Sequence, residues 1–167
     1  VMRLVGRVSI VWSAVCLLLV GGRSIAGEIG ERVYATTGWT VYCLQQGSTP
    51  ARLVPEAGWN VFSIEVGDIE YLRVPEQLSK LPGVGYGTPI LYPTPNRVRG
   101  AVFHFDGKAF RFPANNGHNS IHGLVHSVAW QVCDRGRSDR DAWLQAELRF
   151  ESDQPGWSSF PRRHVLR

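Results

Sequence analysis

Two residues of this 167-residue chain have the chemistry to hold a polyol, and both stand in loop-like sequence. Arg97 follows Asn96 at the end of a Pro/Gly-rich stretch. A guanidinium offers several N–H donors in a planar fork, which suits sugar hydroxyls or carboxylates. An exposed loop arginine without a ligand is the plain alternative. His122 stands between Ile121 and Gly123, soon after the turn-forming Asn115-Asn116-Gly117. A neutral imidazole accepts one hydrogen bond and donates another, and its ordinary pKa lies near neutral pH, so it can also move a proton. A histidine satisfied inside a turn is the alternative there.

Other candidate chemistries are weaker. His118, His122 and His126 are spaced four apart, which would align them on a helix for a metal ion. Asn119, Gly123 and the preceding Asn-Asn-Gly oppose a helix, and on a strand four residues span about 13 Å, too far for one ion. No H-E-x-x-H, G-x-S-x-G or Walker A motif is present. Residues 83–87 are glycine-rich, but their flanking prolines and the lack of a following helix argue against a phosphate cradle. No metal site is expected. His104 alternates with Phe103 and Phe105 and is expected to face solvent.

The elements that must position Arg97 and His122 read as β-structure. Residues 40–44 form one strand. Residues 60–66 alternate apolar with polar, turn at Gly67-Asp68 and return over 69–74 as a hairpin. Residues 75–95 hold five Pro and three Gly and make neither helix nor central strand, so a long shaped loop is expected. Residues 102–105 and 108–112 flank Asp106-Gly107, the sequence of a type I′ hairpin turn. Leu144, Ala146, Leu148 and Phe150 alternate with Gln145, Glu147 and Arg149 as a strand with one wet face. Residues 160–167 look like the start of a further strand. The expected fold is all-β, an antiparallel sandwich or part of one, and no 3.6-residue period survives beyond residue 26.

Composition and charge narrow the class. Hydrophobic residues are 44% and charged residues 19%, which is globular rather than disordered. The formal charge is +4, but Arg3, Arg7 and Arg23 fall in the first 26 residues, which carry no acid, so the remainder holds only +1. Without a basic stripe, no nucleic-acid partner is expected. Residues 1–26 read as a secretory signal: Arg3 and Arg7, an apolar run at 8–20, then Ser24 and Ala26 before Gly27. The run is shorter than the roughly 20 residues of a membrane span. Export to the periplasm or outside the cell is expected, with membrane contact only through an uncleaved leader. The domain is then 27–167. Cys43 and Cys133 remain beyond the leader, either as a disulfide or as small residues on buried strands.

The ordered set GTPILYP, PNRV, FDGKAFRFP, N-x-G and IHGLVH resembles the aldose 1-epimerase (galactose mutarotase) family over about residues 61–130. The upstream stretch GWNVFSIEVGDIEYLRVPE fits that family's opening hairpin. The resemblance implies a galactose mutarotase-like β-sandwich about twice this length, so the chain is expected to be its N-terminal portion. It implies an isomerase that interconverts the α and β anomers of a free aldose such as galactose or glucose. A carboxylate takes the anomeric hydroxyl proton, a histidine protonates the ring oxygen, and no cofactor is used. By position, Arg97 and Asn96 match the sugar-binding pair, and His122 matches the active-site histidine that precedes Gly. The family's second histidine, its substrate-binding aspartate and its general-base glutamate lie well downstream in relatives, and the resemblance implies that the chain ends before those positions. His164 is too close to His122 to be that histidine, and Glu147 and Glu151 match no catalytic motif. The 167-residue chain alone is therefore expected to lack substantial activity. The alternatives are a non-catalytic carbohydrate-binding sandwich and a structural envelope-associated β-domain.

Overall fold

The computed structural model describes residues 27–167, and the predicted leader at 1–26 lies outside the described residues. A five-stranded antiparallel meander opens the chain: β1 (Glu28–Val33), β2 (Thr40–Gln46), β3 (Thr49–Val54), β4 (Asn60–Val66) and β5 (Ile69–Glu70). The hairpin β6 (Val102–Phe105) and β7 (Lys108–Arg111) follows a long connection. A second sheet takes the order β10-β9-β8, from β8 (Gln131–Arg137), β9 (Ala142–Phe150) and β10 (His164–Leu166). Short 3₁₀ turns at Pro55–Ala57, Leu78–Lys80 and Arg99–Ala101 are the helical elements among the described residues. The protein is all-β and antiparallel, as the alternating apolar pattern predicts.

The two larger sheets lie against each other through β1 and β2 on one side and β8 and β9 on the other. Arg135 on β8 ion-pairs with Glu31 on β1. The Gly27 N–H donates to the Ser138 carbonyl at 2.9 Å. Apolar burial divides into two clusters. Val41, Val54, Ala57, Phe62, Leu78 and Leu81 fill one, under the long connection. Val125, Trp130, Ala146, Leu148 and Phe150 fill the other, with Tyr92, Trp157 and Phe160 packed on it. The inward residues of β9 are the alternating set read from the sequence, and they supply three of the second cluster's five members.

Some elements differ from the expectation. The strand expected over 69–74 ends at Glu70. The Glu70 carboxylate takes the Ile64 N–H at 3.0 Å and the Leu72 N–H at 2.9 Å, so a side chain replaces the ladder and the strand stops. Cys43 is buried, but Cys133 is exposed. It falls at the bulge between Val132 and Asp134, where pairing with β9 shifts by one residue and turns it outward. Neither cysteine is in a disulfide. β8, with the polar sequence QVCDRGR, is set by its partner instead of its own propensity. Gly136 lies opposite Trp143, and a Cβ there would meet the indole at 2.3 Å. The glycine is the seat of that ring.

The connection from β5 to β6 is held as a shaped loop. Asn60, fully buried, donates to the carbonyls of Leu81 and Tyr86 and accepts the Thr88 N–H at 2.9 Å. One buried amide thus ties three points of the Pro/Gly-rich segment to β4. The residues beyond it carry the chain to Asn96 and Arg97.

Candidate functional site

The site is a junction of two loops on either side of the β6–β7 hairpin. The hairpin's turn is as read: Asp106 and Gly107 both have positive φ, 50° and 68°, and Phe105 pairs with Lys108. At its base the Phe112 N–H donates to Ala101 O at 2.8 Å. One step further out, Val98 and Ser120 exchange two backbone hydrogen bonds of 2.7 and 3.1 Å. The hairpin therefore closes a path that brings the 95–100 loop against the 115–124 loop. Arg97 and His122, 25 positions apart in the chain, sit next to the two ends of that bridge.

Each loop is shaped by asparagines. The Asn96 Oδ1 accepts the Arg97 N–H at 2.8 Å, so its carbonyl serves the turn, and the exposed side chain leaves its amide NH₂ without a partner among the described residues. The Asn115 side chain clamps Ile121 from both sides, accepting its N–H at 2.8 Å and donating to its carbonyl at 3.0 Å. The Asn119 Oδ1 accepts the Gly100 N–H at 3.0 Å. The Asn116 Oδ1 accepts the Arg97 Nε–H at 3.0 Å. Asn, a small side chain with a donor and an acceptor, tolerates tight turns and satisfies their backbone groups.

His122 is half-buried and holds a left-handed backbone, φ 66°. That region is sparse for a side chain with a Cβ and is kept only where the surroundings enforce it. Asn115 enforces it from the Ile121 side. From the other side Gly123, also left-handed at φ 72°, pairs with Tyr92, and the Leu124 N–H donates to Tyr92 O at 2.7 Å. The His122 Nδ1 lies 3.2 Å from the Pro95 carbonyl oxygen. A carbonyl only accepts, so Nδ1 carries the hydrogen and, in the neutral ring, Nε2 keeps its lone pair for a ligand.

His126 lies close enough to feel His122. Burial holds its pKa below the ordinary 6.5, and the His122 ring adds to that. The His126 Nδ1 is 2.8 Å from Ser127 Oγ. His118 is exposed at the loop tip. Among the described residues no group of three or more His, Cys, Asp or Glu is placed to hold a metal ion. His104 is exposed on β6. His164 is packed in β10 with ring centroids 5.2 Å from Phe150 and 5.3 Å from Tyr92.

The structure thus brings Arg97 and His122 to one junction and turns Asn96 partly to its own backbone. Asn115, Asn116, Asn119 and the Pro95 carbonyl hold them there, and of these the sequence singled out only the Asn-Asn-Gly turn. A separate cleft of about 600 Å³ lies between the β6–β7 hairpin and residues 160–162, walled by Phe103, Phe105, Phe110 and Phe160. Neither Arg97 nor His122 lines it.

Comparison with known proteins follows the same line. The family model for aldose 1-epimerase matches residues 40–162. A galactose mutarotase-like protein from Clostridium acetobutylicum shares the fold with a TM-score of 0.74 and 23% identity, over 82% of this chain and 43% of that one. Galactose 1-epimerase from Lactobacillus acidophilus aligns with a TM-score of 0.65 and 14% identity, over 82% and 42%. The chain spans less than half the length of either structure.

Proposed function

Because the chain belongs to the aldose 1-epimerase family, we propose that the Arg97–His122 junction binds a free aldose and forms the sugar-orienting part of an anomerisation site. The observation that carries this reading is the pair of Val98–Ser120 hydrogen bonds, which joins the loop that carries Arg97 to the loop that carries His122. Arg97 donates to sugar hydroxyls, and the His122 Nε2 accepts from another. The Asn96 amide adds a further donor beside Arg97. Three directed polar contacts on one sugar fix which face of the ring is turned to the reacting groups.

In the family's scheme a base takes the anomeric proton while an acid protonates the ring oxygen. Among the described residues no carboxylate is hydrogen-bonded to Arg97 or His122. The acid–base pair is assigned to none of them, and His122 is read as orienting the sugar. That same observation favours a second reading, in which this part of the fold binds sugar without turning it over. Export through the leader at residues 1–26 belongs to the proposal, with the sugar met outside the cytoplasm.

The test is an NMR titration of the 167-residue chain with D-galactose and D-glucose, paired with polarimetry. Saturable shifts at Arg97 and His122, weakened in Arg97→Ala and His122→Ala, support the binding reading. No saturable shift at either residue overturns it. Polarimetric equilibration no faster than buffer agrees with an acid–base pair outside the described residues, and fast equilibration places that pair within this chain.

A further inference from the structure

Among the described residues the Arg97 guanidinium makes one hydrogen bond, from Nε–H to Asn116 Oδ1 at 3.0 Å, and no carboxylate ion-pairs with it. Its side chain is otherwise exposed. A long exposed arginine samples many rotamers, and a ligand that binds it must first stop that motion. Asn116 removes part of the cost before the ligand arrives.

Asn116 is itself held. Its N–H donates to Asn119 O at 3.0 Å, and the Asn119 N–H returns to Asn116 O at 3.1 Å, across the turn at Gly117. The Asn119 side chain then fixes Gly100, three residues beyond Arg97. Three ties in a row therefore join the two loops: Arg97 to Asn116, Val98 to Ser120, Gly100 to Asn119. The first is the only one made by the arginine's own side chain. With Nε–H taken by Asn116, the side-on fork of the guanidinium is engaged, and the end-on pair of N–H groups, one on each terminal nitrogen, has no partner among the described residues. They present paired donors to two neighbouring acceptors, the geometry of a vicinal diol.

We propose that Asn116 is a positioning residue: it sets Arg97 end-on toward two adjacent hydroxyls of the sugar. This rests on the reading of Arg97 as a sugar ligand, so its test has one readout that needs sugar and one that does not. The full chain is prepared as wild type, Asn116→Ala, Asn116→Asp, Arg97→Ala and the Arg97→Ala/Asn116→Ala double variant. D-galactose affinity is measured by NMR, together with the hydrogen-exchange rate of the Arg97 Nε–H and the melting temperature.

Asn116→Ala is expected to weaken galactose binding by about three- to tenfold, the range for losing one ordinary hydrogen bond. Asn116→Asp, which keeps the acceptor, restores affinity. The double variant binds no more weakly than Arg97→Ala. The Arg97 Nε–H exchanges several-fold faster in Asn116→Ala, with the melting temperature unchanged. Unaltered affinity in Asn116→Ala, or additive losses in the double variant, overturn the proposal. If galactose fails to bind the wild type, the sugar reading falls, and the exchange rate alone decides whether Asn116 holds the guanidinium: unchanged exchange shows that it does not.

Discussion

Val98 and Ser120 face each other across the base of the β6–β7 hairpin, each donating its N–H to the other's carbonyl. Between them the chain makes a turn and the complete hairpin, so a contact local in space is distant in sequence. Arg97 precedes one partner by one residue, and His122 follows the other by two. Whatever moves this pair moves both candidate ligands together.

Ser120 contributes through its backbone, and its hydroxyl works against it. The side chain is fully buried, and Oγ has no hydrogen-bond partner among the described residues. Ser120→Ala removes that unpaired group and leaves both backbone bonds intact. The variant is expected to be more stable by about 1 kcal/mol, read as a higher melting temperature. A lower one would show that the hydroxyl is satisfied in solution.

Gly123 is the opposite case. Its φ is 72°, and a Cβ built on it would stand 2.2 Å from the Tyr92 carbonyl oxygen. Gly123→Ala must move that backbone away and release the Leu124 bond with it. A loss of about 3 kcal/mol or more is expected in a urea titration. The His122 ring resonances should shift as the left-handed pair relaxes. Wild-type stability in this variant would show that the Tyr92–Gly123 contact is not made.

Glu70 makes the stability of the first sheet depend on acid. Burial pushes its pKa up, but hydrogen bonds from Ser63, Leu72 and Ile64, with the Arg52 charge, outweigh that and hold it below 4.5. The folded value is depressed, so the stabilisation is complete above the ordinary carboxylate range and is lost as pH falls through the folded pKa. Glu70→Gln should be less stable at neutral pH and should show a shallower loss of stability below about pH 4.5. Parallel acid-denaturation curves for variant and wild type would contradict the assignment.

His126 titrates in the other direction of charge. Its folded pKa lies below 6.5, first through burial and then through the nearby His122. The neutral ring is the form the fold prefers, so its contribution is full above about pH 6.5 and declines as pH falls toward the folded value. His122→Asn removes the neighbouring charge and should move the His126 titration upward, followed by ring-proton NMR. An unmoved titration would mean that burial alone sets the His126 value.

The amino-acid sequence by itself determined the all-β class and much of the strand inventory. The alternation of β9, the Asp106-Gly107 turn and the 60–66 strand are local patterns, written in the residues that form them. The ordered motifs around Arg97 and His122 also carried the family. Tertiary structure decided the rest. β8 is polar and holds a strand because β9 lies beside it and Trp143 covers Gly136. β5 stops early because the Glu70 carboxylate reaches its own hairpin. The site follows the same rule. Asn116 reads as a turn residue in sequence and becomes the partner of Arg97 only when the hairpin folds back. In the neutral ring, the His122 Nε2 keeps its lone pair only when the Pro95 carbonyl, 27 residues earlier, takes the Nδ1 hydrogen. Local pattern records which way a side chain leans, whereas a hydrogen bond across 19 or 27 residues exists only after burial and pairing have closed the loop between its ends.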